Sequence, residues 1–140
     1  MALYTKYTAG IEPLLEGINC STDVWKVALS NAVNIADTSF VVGTTDLPTG
    51  GGYITGGNAC TTTSSAQTSG TFKLTLGSPA MWVASGAGFT FRYAILYNSS
   101  TSPMIPVGYW DYGSTIAMNG TNADTFTATL DATNGVFTAT

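Results

Sequence analysis

From Phe89 to Tyr97 the large side chains fall on every second position: Phe89, Phe91, Tyr93, Ile95 and Tyr97. A strand turns successive side chains to opposite faces, so this spacing predicts one strand with five large residues on a single face. A helix would scatter them around its circumference. Residues Ile105 to Tyr112 are again apolar and aromatic, and the link from Asn98 to Pro103 is rich in turn formers. The two runs are expected to pair antiparallel at the centre of a sheet. Their aromatic side faces inward, and Arg92 and Asp111 face outward, placed to pair across the strands. In that phase Phe91, Tyr93, Ile95, Phe72, Leu74 and Phe126 share one core.

The same alternation recurs at Trp25, Val27 and Leu29, at Phe72, Leu74 and Leu76, and at Phe126, Ala128 and Leu130. Brief strands are expected at 40–42, 53–55, 81–84 and 115–118, and the turn at 131–135 is expected to fold residues 136–139 back as a hairpin. About eight short strands between regularly spaced turn signals predict an all-β antiparallel sandwich, jelly-roll-like, and residues 1–140 read as one domain. Two stretches lack the pattern. Residues 1–23 read as an arm with a short helix, built on Leu14, Leu15 and Ile18 with Glu12 and Glu16. Residues 43–70 combine a glycine cluster with a run of Thr and Ser from 61 to 69, and read as one long flexible loop. Residues 1–20 and 43–70 are expected to be poorly ordered alone and to become fixed against neighbouring subunits.

Composition sharpens this picture. Charged residues make up 9% of the chain, against about a quarter in ordinary soluble domains, while Ser and Thr approach roughly a quarter. The surface is therefore covered with hydroxyls, which suits strands and also suits burial against other protein. The net charge is −4, and the four cations, Lys6, Lys26, Lys73 and Arg92, are scattered. No basic stripe is present to neutralise phosphates or hold an anionic membrane, so neither nucleic acid nor membrane is an expected partner. The opening residues carry no long apolar core and do not read as an export signal. On that reading Cys20 and Cys60 are expected to be reduced.

Candidate chemistry is sparse. The chain has no histidine, the commonest general base and metal ligand. Glu12 and Glu16 fall in the expected arm, and Asp124 and Asp131 lack calcium-loop spacing. Asp111 between Trp110 and Tyr112 is the one carboxylate set among aromatic rings, where a sugar could stack. The plainer reading pairs it with Arg92 or with backbone amides at the Gly113 turn. The chain is expected not to be an enzyme and to need no cofactor or metal.

Four stretches together resemble a recurring pattern in small structural proteins of tailed bacteriophages. These are residues 14–18 leading into 24–31, residues 52–58, residues 91–98 and residues 107–114. Their order matches, and the resemblance runs from about residue 6 to the end, with no counterpart for Cys20 or for 61–69. Some members of that group are capsid cement, or decoration, proteins: small jelly-roll-like β domains that bind outside the major capsid protein and bridge capsomers. The resemblance implies a virion protein, made in the host cytoplasm and assembled on the outer capsid surface. Its partner would be the major capsid protein, and it would sit there as a homo-oligomer, a dimer or trimer. Contacts are expected from the arm and the long loop, through Tyr4, Tyr7, Leu14, Leu15, Leu47, Tyr53 and Ile54. Two other readings stand beside it. One is a carbohydrate- or receptor-binding module of a phage fibre using Tyr109, Trp110 and Tyr112. The other is a tail-tube or connector subunit.

Overall fold

The structure, a computed structural model, describes residues 2–10, 12 and 16–140. Among these residues ten strands run β1 (Leu3–Lys6), β2 (Trp25–Ser30), β3 (Asn58–Cys60), β4 (Thr62–Thr68), β5 (Thr71–Leu76), β6 (Trp82–Val83), β7 (Phe89–Asn98), β8 (Ile105–Met118), β9 (Thr125–Phe126) and β10 (Phe137–Ala139). Every pairing is antiparallel. Five strands form one sheet in the order β1-β8-β7-β2-β3, three form a second in the order β10-β5-β4, and β6 pairs with β9. The fold is an all-β sandwich, as the alternating runs predict.

Periodicity places β2, β5, β7 and β8 where the side-chain pattern demands. The expected pairing of β7 with β8 is present, with Ile95 opposite Tyr109 and Ala94 opposite Trp110. The main core lies between the sheets. There Trp25, Val27 and Leu29 of β2 meet Leu74 and Leu76 of β5, Trp82, and Phe91 and Leu96 of β7. A second cluster lies on the other face of the five-stranded sheet, where Tyr7, Ala28, Phe40, Ile95 and Tyr97 are buried together. The central strands are thus covered on both faces.

This double covering corrects the expectation of a single aromatic face on β7. Phe89 and Phe91 belong to the main core, but so do Ala94 and Leu96, one step out of phase with them. Ile95 and Tyr97 bury on the opposite face, and half-buried Tyr93 stands edge-on to Tyr109, which packs on that same second cluster. The cause is an irregularity in the pairing. Between the pairs Phe91–Ile116 and Tyr93–Asp111, β7 advances two residues while β8 advances five. Extra residues in one strand break the ladder locally and re-aim the side chains beyond. Arg92 and Asp111 hold this point through paired bonds, Nε to Oδ1 at 2.8 Å and an Nη to Oδ2 at 2.9 Å. The Gly113 amide also donates to Asp111 Oδ1.

The Ser/Thr run is a strand and not a loop. It forms β4, which pairs with β5 from Thr62–Leu76 to Thr68–Thr71. The hairpin closes through Ser69 and Gly70, at φ of 51° and 83°, the two left-handed residues that a type I′ turn requires. The arm also differs from expectation. Residues 3–6 are β1, the edge strand beside β8, and Tyr7 behind it is fully buried. The helix expected around Leu14 and Leu15 falls largely on residues outside those described. The hairpin expected after Leu130 is absent, because β10 pairs with β5 and β9 with β6. Residues 40–42 and 53–55 are not strands; they belong to turns, with Phe40 buried in the second cluster and Tyr53 in the main core.

Candidate binding surface

The most highly organised polar cluster sits where the sequence predicts a loose loop. Asp46 is buried, with 6% of its surface exposed, and among the described residues no cation forms a salt bridge with it; hydrogen-bond donors from a tight ring of turns satisfy it instead. The Gly43 and Gly56 amides donate to its two oxygens at 2.7 and 2.6 Å, and the Tyr53 hydroxyl donates at 2.6 Å. The Thr55 hydroxyl lies 3.3 Å from Oδ1. A carboxylate taking several such donors is stable inside a protein where a bare one would not be. The Tyr53 hydroxyl also accepts from the Leu29 amide of β2, and Tyr97 of β7 donates to the Gly56 carbonyl at 2.6 Å. Phe40 stacks on Tyr97 with ring centres 3.8 Å apart. The turns of residues 40–57 are therefore bound to the two central strands.

What this assembly holds outward is apolar. Ile54 is 68% exposed, Val41 50% and Val42 41%. The two turns that carry them converge, since Gly43 and Thr55 share Asp46 as acceptor and Gly56 lies beside Val42. Leu3, Val24, Ile35, Met81 and Val83 are also exposed, but Val41, Val42 and Ile54 share one clamped platform. Such a patch is built for contact with protein.

The structure separates the contact residues expected from sequence. Ile54 is on the patch. Tyr53 is buried and serves the Asp46 cluster, so it is not free to touch a partner. Tyr7 is buried against Tyr109 and is likewise unavailable, because β1 runs along the sheet instead of leaving it. Leu47 is half-buried on the main core, its amide bonded to Leu29. Tyr4 is half-buried with its ring 5.0 Å from that of Trp110. Leu14 and Leu15 lie outside the described residues. Val41, Val42 and Asp46 are absent from the sequence-derived set. A lone Asp beside a glycine cluster hints at an acceptor for turn amides, but nothing in sequence shows which turns converge on it.

The aromatic run near Asp111 does not form a stacking platform. Trp110 is buried in the main core beneath Tyr4, and Tyr109 packs on the opposite face against Tyr7 and Tyr93. Tyr112 stands edge-on to Phe91 and Phe126. Asp111 is committed to Arg92, whose guanidinium, helped by the Gly113 amide, holds its carboxyl below the usual range. Asp124 accepts from the Asn119 amide, and Asp131 from those of Thr133 and Asn134. These carboxylates fix turns. Both cysteines are free thiols, and burial pushes that of Cys60 up to about 12, which leaves it unreactive. No protein-family model, no curated protein and no solved structure matches the chain.

Proposed function

We propose that the protein is a structural component of a bacteriophage virion that decorates the outside of the capsid and ties neighbouring subunits together. The observation that carries this reading is the clamped loop. Val41, Val42 and Ile54 are held in place by the Asp46 cluster before any partner arrives, so docking them costs little ordering entropy. A low-charge, hydroxyl-rich surface around them can be buried without stripping many ions of water. The resemblance carried by residues 14–18 and 24–31, 52–58, 91–98 and 107–114 suggests the partner, the major capsid protein. Many copies, each making such a contact, would hold a shell together more firmly than any single contact could.

The test is co-sedimentation of purified protein with capsids that lack it. Saturable binding by the wild type is expected, weakened about tenfold or more by Ile54→Asp, which places a charge at the centre of the contact. Failure of the wild type to bind would overturn the reading. Binding of Ile54→Asp at wild-type strength would move the contact elsewhere on the molecule.

A further inference from the structure

Among the described residues β1 is one edge of the five-stranded sheet and β10 one edge of the three-stranded sheet, and a groove of about 460 Å³ opens between them. Tyr4 and Lys6 line it from β1, Phe137 and Thr138 from β10, and Lys73 from β5. Two of the chain's four cations therefore meet in one groove of a protein whose net charge is −4. The Lys73 ammonium is anchored on the Thr133 carbonyl at 2.7 Å, and the Lys6 ammonium lies 6.0 Å from the centre of the Phe137 ring. Neither forms an ion pair among the described residues, where Arg92–Asp111 is the one salt bridge.

We infer that this groove binds an extended acidic segment of a partner protein. The segment adds to the edge of β1 as a sixth strand, with β10 as the opposite wall, and one of its carboxylates lies between Lys6 and Lys73. An unpaired strand edge offers a row of amide and carbonyl groups that only another backbone can match in full. The alternate side chains of the incoming strand would meet Tyr4 and Phe137, and the two ammonium groups select an Asp or Glu among them. Two cations suit a single carboxylate and are far too few to follow a nucleic-acid backbone. This inference does not depend on the capsid reading, since the groove is formed by different elements from the Val41, Val42 and Ile54 patch.

The probe is a capped heptapeptide of alternating Thr and Val with a central Asp, alongside the same peptide with Asn in place of the Asp. Binding is followed by fluorescence anisotropy and by amide chemical shifts. The Asp peptide is expected to bind about tenfold more tightly than the Asn peptide, the scale of one charge-assisted hydrogen bond. That advantage should shrink as salt is raised. Shifts should concentrate at residues 3–6 and 136–139. Lys6→Gln, on an exposed side chain, should abolish the preference without changing the melting temperature, and Lys73→Gln should act in the same direction. Equal affinity for the two peptides, no binding of either, or shifts elsewhere would overturn the inference. So would inorganic phosphate moving the same amides as strongly as the Asp peptide, because the groove would then be a simple anion site.

Discussion

At the scale of single residues, Asp46 does what the sequence gives least reason to expect. It is one carboxylate in a stretch of glycine and threonine, yet it gathers the donors of Gly43, Tyr53, Thr55 and Gly56. Asp46→Ala strands the buried Gly56 amide and Tyr53 hydroxyl at once, and the less buried Gly43 amide with them. Each buried group costs about 1–3 kcal/mol when left unpaired, so a loss of at least about 2 kcal/mol is expected in denaturant unfolding. A loss below about 1 kcal/mol would show that the turns hold themselves. The pairing of Arg92 with Asp111, by contrast, was legible, because two lone opposite charges on adjacent strands have few other places to go. Donors reaching one acceptor from four separate positions leave no periodic trace.

At the scale of elements, the strands whose large side chains alternate, β2, β5 and the first part of β7, were legible, and the exceptions have physical causes. β4 is exposed along most of its length, so nothing in its side chains alternates; only the Ser69–Gly70 turn and the clear pattern of β5 betray it. The largest side chains of β7 alternate, but Ala94 to Tyr97 is a continuous apolar run and the pairing with β8 is irregular, so the face changes where the alternation predicts continuity. β1 is short and looks like part of a tail, yet Tyr4 lies directly over Gly108 of β8. A Cβ at position 108 would collide with the Tyr4 ring. Gly108→Ala should therefore lift β1 from the sheet, with faster hydrogen exchange at residues 3–6 and a loss of about 1–3 kcal/mol, the usual cost of overpacking. Unchanged exchange at those amides would mean that the ring moves aside freely.

At the scale of the whole molecule, two cores on opposite faces of one sheet bury phenols on both sides. Burial raises Tyr7 and Tyr53 above the ordinary phenol range; burial, and to a lesser degree the Asp46 charge, raises Tyr97 to about 12. An unfolded chain ionises its tyrosines near about 10. The folded state favours the neutral form, so its advantage is complete below about pH 10 and declines as pH climbs toward 12. The urea midpoint should fall steadily over that window, and the tyrosinate absorbance of these residues should appear only with unfolding. A midpoint that holds to about pH 11.5 would contradict the burial of these hydroxyls. Tyr97→Phe should start less stable by about 1 kcal/mol, through loss of its bond to Gly56, and decline less steeply in alkali.

The bond between Tyr97 and the Gly56 carbonyl also sets how the molecule bears load. Ile54 stands two residues before Gly56, and Tyr97 belongs to β7, which is paired with β2 on one side and β8 on the other. A pull on the exposed patch is thus handed partly to β7, the middle strand of the sheet, through one hydroxyl and one stacked ring, and partly to β2 through the Tyr53 hydroxyl. The protein grips from its interior, and strain at its surface is shared across the five-stranded sheet.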